Sequence, residues 1–289
     1  MSVSYHLVRL AGTIVPKIPP ALGYTLCRWA GGLAYRFNRS TRLTISLNLR
    51  RILGPQIAEG EIQRRARLTF DTLLYNYFDL FRLPRLDDDA VRRLVTVNGW
   101  DNVEAALAEG KGIVMTSAHL GNIEVVLYAM LLRGLAITIP VERIEPPEIF
   151  GYITALRTSK GLKLIPIDGP LIDLIRTLKK KGVAGLAGDR DITGTGQIVD
   201  FFGYPAHLPD GHIRLALRTG APLVVGFSYR RPDQSYQATF LPPYHPPASG
   251  SEEERIAAGM KFIVAEMEKA IAQAPEQWTV TVPIWAEPS

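Results

Sequence analysis

One cysteine, Cys27, in 289 residues leaves no internal disulfide and no Cys-based zinc site, so a reducing compartment is expected, by default the cytoplasm. Acids are nearly missing from the first 67 positions, where Glu59 and Glu61 stand against eleven Lys/Arg for a net +9. The remaining 22 bases and 26 acids give −4. No uncharged run approaches the ~20 apolar residues that a spanning helix needs. Prolines at 16, 19 and 20 break the apolar N-terminus, and no small-residue cleavage site follows a long apolar core, so a cleaved signal peptide is not expected. With 47% hydrophobic and 21% charged residues the chain is neither disordered nor fibrous, and a mean hydropathy of +0.06 marks it as fond of apolar surroundings. Its length, about twice that of an ordinary domain, allows two domains or one large α/β domain.

The basic N-terminal third fits nucleic acid or an anionic membrane, and the apolar residues interleaved with the charges decide for the membrane. From Leu7 to Phe37, Arg9, Lys17 and Arg28 punctuate short apolar runs, with Tyr24, Trp29 and Tyr35 as interfacial rings. We read residues 1–39 as two amphipathic helices with an elbow at Pro16–Pro20, lying in the bilayer interface. Residues 40–93 read as helical, with Ser40 and Thr41 as caps, a break at Gly54-Pro55 and a long helix from Glu59 to Leu83. That helix buries Ile62, Ala66, Phe70, Leu73, Leu74, Tyr77 and Leu80 and turns Arg64, Arg65 and Arg67 outward.

From residue 94 to 289 short β-rich runs alternate with helices, the signature of βαβ units in a mostly parallel sheet flanked by helices. Strands are expected at 95–98, 113–117, 136–141, 162–166, 183–187, 198–202, 223–229 and 236–241. Helices are expected near 101–109, 121–133, 146–160, 170–181, 210–219 and 251–273.

Ligands of open α/β sheets bind at the carboxyl ends of strands, where His119 and Glu124 fall. On one continuous helix, residues five apart point about 140° from each other. With His119 on the loop and Glu124 in the first helical turn, however, the carboxylate reaches back to the ring. A carboxylate holding one ring nitrogen leaves the other as a general base toward a substrate hydroxyl; a buried structural histidine is the alternative on spacing alone. Asp189-Arg190-Asp191 ends another strand, either as a divalent-cation site for sugar-nucleotide chemistry or as a lattice in which Arg190 neutralises both aspartates. The loop at 194–196 lacks the dinucleotide spacing. Glu142 and Arg157 are further candidates, a guanidinium suiting a phosphate or carboxylate. His207 and His212 are too scattered for a metal site, and Asp210 reads as a helix N-cap.

Taken together, HLGNIE at 119–124, VERIEPPE at 141–148, GDRD at 188–191, VDFFG at 199–203 and LPDGHIRLALRTGAPL at 208–223 resemble the bacterial lipid A late acyltransferases. They are still more similar to the phosphatidylinositol mannoside acyltransferases, within the lysophospholipid acyltransferase superfamily. The resemblance covers residues 40–285. It implies a monotopic enzyme on the cytoplasmic leaflet of the plasma membrane that moves a long acyl chain from acyl-CoA or acyl carrier protein to a hydroxyl of a membrane glycolipid. It also implies a histidine–acid centre in His119 and Glu124, a further acid in Asp189, and active-site partners in Glu142 and Arg157. The family often has Asp at the place of Glu124 and Glu at that of Asp189. Asn122, Arg190 and Asp191 complete the expected substrate-binding set. Backbone N–H groups at Gly121-Asn122 are candidate oxyanion donors, and helices 59–83 and 121–133 are candidate walls of an acyl tunnel. The chemistry needs no metal or redox cofactor. A metal-dependent glycosyltransferase using Asp189 and Asp191, and a non-catalytic lipid-binding protein, are the competing readings.

Overall fold

The computed structural model describes residues 3–169 and 172–285. The N-terminal third is helical: α1 (Val3–Ile14), α2 (Pro20–Phe37), α3 (Arg39–Leu53), α4 (Glu59–Arg82) and α5 (Asp88–Leu94). There follow β1 (Val95–Asn98), α6 (Trp100–Ala108), β2 (Ile113–Ser117), α7 (Ile123–Leu131), β3 (Ile137–Val141), α8 (Pro147–Thr158), β4 (Lys163–Pro166) and α9 (Ile172–Lys179). The chain continues with β5 (Val183–Ala187), β6 (Gln197–Phe201), β7 (Tyr204–Leu208), α10 (Gly211–Thr219), β8 (Leu223–Arg230), β9 (Tyr236–Phe240) and α11 (Glu252–Gln273).

Seven strands form one sheet in the order β1-β9-β8-β2-β5-β3-β4, every pair parallel except β8–β9. Strand alternation sends neighbouring side chains to opposite faces. Val114, Ala184, Leu223 and Val225 accordingly join the core under α9, α10 and α11, while Ile113, Met115, Val183 and Val224 join the core under α5, α6 and α7. Such strands are buried on both sides and read as continuous apolar runs. A third cluster, Ile45, Leu49, Ile62, Ala66 and Phe70, binds α3 to α4.

Several expectations shift. β6 leaves the main sheet and pairs antiparallel with β7, which was not anticipated. The cap of α3 is Asn38, whose side chain accepts from the Thr41 N–H at 3.1 Å. On α4, Tyr77 is exposed and Phe78 takes the buried place. Arg67 is no free surface charge: it pairs with Asp71 and donates to the Arg28 carbonyl. A Cβ on Gly31 would lie 2.3 Å from Asp71 Oδ1 and 3.3 Å from its Cα, so a larger residue would displace the Asp71 carboxylate from where α2 and α4 meet. The helix expected over 170–181 runs Ile172–Lys179, with 170 and 171 outside the described residues. Asp210 stands at the α10 N-cap position but makes no capping bond; its carboxylate accepts instead from Arg214 Nε at 3.0 Å and Gln197 Nε2 at 3.1 Å.

The elbow falls where the prolines put it, between α1 and α2. Leu7, Leu10 and Ile14 are exposed on α1, and Leu22, Leu26, Trp29, Leu33 and Phe37 on α2. The second series steps by three or four residues, so it forms one stripe along the helix. No helix among the described residues is long and apolar enough to cross a membrane.

Candidate active site

Sheet register builds the site. β2 and β5 are neighbours with Ser117 opposite Ala187, so the residues two further on, His119 and Asp189, emerge side by side at the carboxyl ends. Asp189 is completely buried. Its Oδ1 lies 2.7 Å from His119 Nδ1, and its Oδ2 accepts from the His119 backbone N–H and from Trp278 Nε1–H, both at 2.7 Å. The His119 side chain stays 38% exposed, and Nε2 meets no hydrogen-bonding partner among the described residues. The ring is held at one nitrogen and open at the other.

Asp189 raises the pKa of His119 above its ordinary 6.5, outweighing desolvation of the ring. Burial alone would push the Asp189 carboxyl up, but the charge and hydrogen bonds of His119 and the Trp278 N–H overcome it and hold the carboxyl below its usual value.

The loop carrying His119 is pinned on all sides. Leu120 N–H donates to Ala118 O at 2.7 Å, closing a three-residue turn centred on His119. Thr279 donates to His119 O through its N–H at 2.9 Å and its hydroxyl at 3.1 Å, and Gly121 N–H donates to Gln277 O at 3.0 Å. Ser228 Oγ reaches Leu120 O at 2.8 Å, and Asn76 Nδ2 reaches Gly121 O at 2.7 Å. Gly121 has φ +66°, and a Cβ there would meet Ser228 O at 2.4 Å. This turn therefore requires glycine.

Glu124 does not reach back to His119. It stands in the first turn of α7 and pairs with Arg157 Nη2 of α8 at 2.5 Å. The carboxylate on Nδ1 is Asp189, because strand pairing brings a residue 70 positions away closer than one five away. Arg190 does not neutralise the two aspartates; it pairs with Glu142, at the end of β3, at 2.9 Å. Asp191 holds its own loop: Oδ1 accepts from Thr193 N–H, Thr193 hydroxyl and Gly194 N–H at 3.0–3.1 Å, and Oδ2 from Gly196 N–H at 2.7 Å. Both carboxylates of the Asp-x-Asp reading are thus committed to protein donors. Asn122 is buried as the N-cap of α7, bonded to Val125 N–H at 3.4 Å and Tyr236 OH at 3.2 Å, and presents nothing to a ligand. Gly121 N–H is spent on Gln277, which removes it as an oxyanion donor.

Glu142, Arg190, Asp191 and His207 line a cleft of about 260 Å³ with Ile192 and Pro283. The two helices expected to wall an acyl tunnel, α4 and α7, touch each other. Sequence reasoning missed Trp278, Gln277 and Thr279, which sit in a C-terminal segment without repeating pattern and reach the site only by lying across the sheet ends.

His212 is buried behind this centre with neither ring nitrogen partnered, and burial pushes its pKa down to about 4. An unfolded histidine binds its proton near pH 6.5. Between those values only the unfolded chain is protonated, so stability is complete above pH 6.5 and erodes as pH falls toward 4. The expected loss is about 3 kcal/mol. Denaturant midpoints at pH 7 and pH 4.5 measure it, and His212→Met is expected to flatten the difference.

The model of the family described as bacterial lipid A biosynthesis acyltransferase matches residues 2–286. The chain belongs to that family. A phosphatidylinositol mannoside acyltransferase of Mycobacterium tuberculosis (strain CDC 1551 / Oshkosh) is 29% identical over 214 residues, 72% of this chain and 66% of that protein. The Mycolicibacterium smegmatis protein of the same name is 26% identical over 214 residues, covering 73% and 69%. The chain thus spans about two thirds of the length of the curated relatives it matches. The crystal structure of the 1-acyl-sn-glycerophosphate (LPA) acyltransferase PlsC from Thermotoga maritima aligns with TM-score 0.40 and 15% identity, over 86% of this chain and 95% of that one.

Proposed function

We propose that the protein transfers a long acyl chain from a thioester to a hydroxyl of a membrane glycolipid, with His119 as the general base. The observation that carries the reading is a ring fixed at Nδ1 by Asp189 and open at Nε2. Nε2 takes the acceptor's proton as its oxygen attacks the thioester carbonyl carbon. The tetrahedral intermediate collapses with loss of the C–S bond, and the imidazolium returns the proton to the departing thiolate. The products are an ester and a free thiol. General-base assistance of this kind contributes ~10²–10⁴-fold.

Two guanidiniums stand near the ring, close enough for the charges of Arg157 and Arg190 to oppose its protonation. Each keeps donors beyond its ion pair, and Arg157 Nε is buried without a partner among the described residues. They are suited to the negative charge that develops on the thioester oxygen, or to an acceptor phosphate. Glu142 and Glu124 hold them in place.

The acceptor lives in a bilayer, which gives the N-terminal stripe its role. Exposed Leu, Trp and Phe side chains on α1 and α2 suit the interface, and Arg36, together with Arg28, whose charge also acts on Asp71, suits anionic headgroups. On this reading the enzyme works peripherally at the cytoplasmic face of the plasma membrane; no helix among the described residues is long and apolar enough to cross it.

Mixing the protein with a long-chain acyl-CoA or acyl carrier protein and vesicles containing a mannosylated inositol lipid is expected to give a lipid one acyl chain heavier by mass spectrometry. No such product with that lipid or with a lipid A precursor, from either donor, overturns the reading.

A further inference from the structure

Beneath the His119 loop lies a buried charged cluster that the transfer chemistry does not use. Asp79 of α4 is 1% exposed and accepts four bonds from four elements of the chain. Tyr24 OH of α2 donates to Oδ1 at 2.7 Å, and Arg82 Nη1 reaches the same oxygen at 3.3 Å. Tyr236 OH of β9 and Arg230 Nη2 of β8 donate to Oδ2 at 2.5 and 2.7 Å. Arg230 is itself 8% exposed and sandwiched among the rings of Tyr24, Tyr75 and Tyr236.

Three branches of this cluster on the sheet side end on the His119 loop, and a fourth, Arg230 Nη1 to Gln234 Oε1 at 3.2 Å, stays in the β8–β9 hairpin. Tyr236 OH accepts from Asn122 Nδ2 at 3.2 Å. Asn76, one turn before Asp79, accepts from Arg230 Nη2 at 3.5 Å and donates to Gly121 O at 2.7 Å. The Arg230 backbone exchanges bonds with the Gln277 side chain at 2.7 and 2.9 Å, while Gln277 O takes the Gly121 N–H. On the other oxygen Arg82 belongs to α4 itself, while Tyr24 lies on the helix that carries the exposed apolar stripe.

Burying an Arg–Asp pair does little for net stability, since apolar residues of similar volume serve as well or better. What such a pair does supply is a single geometry, because breaking one member leaves an uncompensated buried charge. We infer that Asp79 and Asn76 are positioning residues that couple α2 to the loop bearing His119, so that the seating of α2 sets where the ring stands. The inference rests on the acyl-transfer reading only for its kinetic readout.

The test is a double-mutant cycle with Tyr24→Phe, which removes one hydroxyl and keeps the ring, and Asn76→Ala, with amide hydrogen exchange of residues 118–123 measured alongside. Asp79→Asn is less useful because it strands Arg230. Each single variant is expected to lower kcat about tenfold with KM for the thioester unchanged, and the double variant to fall no more than about twofold below the weaker single. Exchange in 118–123 is expected to rise in Tyr24→Phe as it does in Asn76→Ala, with Tm and vesicle binding near those of the unaltered protein. Factors that multiply, an unchanged kcat in Tyr24→Phe, or exchange changes confined to α2 would overturn the coupling. If the unaltered protein transfers no acyl group, the proposed function fails, and the exchange arm alone still decides the coupling.

Discussion

Asp189→Asn is expected to cut acyl transfer on the order of 10³–10⁴-fold while leaving the fold in place. The reason lies in which oxygen does what. The Oδ2 position accepts two N–H donors, from the His119 backbone and Trp278, so an asparagine must keep its carbonyl oxygen there. Its NH₂ then faces Nδ1 and donates to it, which forces the ring proton onto Nε2. The nitrogen that faces substrate becomes a donor and cannot accept the hydroxyl's proton. A second signature accompanies the lost rate. In the unaltered protein Asp189 raises the His119 pKa, and the base works only when neutral, so kcat/KM falls as pH drops through a value above 6.5. Removing the carboxylate leaves burial and the nearby Arg190 and Arg157 charges, all of which favour the neutral ring. The acid limb of the residual activity is therefore expected to move to lower pH. A residual activity with an unshifted limb would mean that another group is titrating.

Replacing Leu26, Trp29 and Leu33 of α2 with serine is expected to weaken binding to anionic vesicles on the order of 10²–10⁴-fold, because each side chain surrenders ~1–2 kcal/mol of interfacial burial. All three are exposed, Leu26 the least at 48%, so the change removes little from the core and should leave thermal stability nearly unaltered. Activity toward an acceptor in vesicles should fall with binding, whereas activity toward a detergent-dispersed acceptor should persist. Cosedimentation separates this from a charge effect: Arg28→Ala with Arg36→Ala should lower affinity by about 1 kcal/mol per arginine, and only at low salt. Equal binding by the serine variant would assign the stripe to some other partner.

Much of the architecture was legible because parallel strands buried on both faces leave unbroken apolar runs. Ile113–Ser117 and Val183–Ala187 are the boundaries read from the sequence and those of β2 and β5. β7 escaped because Tyr204–Leu208 contains Pro205, a residue that argues against a strand; it is tolerated here in a two-stranded hairpin that has only edges. The site was harder. Sequence spacing placed His119 and Asp189 at the ends of strands, but which carboxylate meets the ring depends on strand order, and order is not written locally. Glu124 sits five residues from His119 and yet is drawn to Arg157, while Asp189 arrives because β5 lies directly beside β2. Asp191 and Asn122 show the converse error. Both look like ligands for a substrate, and both are occupied with backbone N–H groups of their own loops. The Asp79 cluster was invisible for a further reason: its members lie at 24, 76, 79, 230 and 236, and no periodicity links them.

The most direct measurement is acyl transfer by His119→Ala, assayed with labelled thioester and vesicle-borne glycolipid on protein shown to be folded and vesicle-bound. The account predicts that product formation drops by about 10³-fold or more, with the circular dichroism spectrum and vesicle affinity unchanged. Transfer within tenfold of the unaltered protein would contradict it.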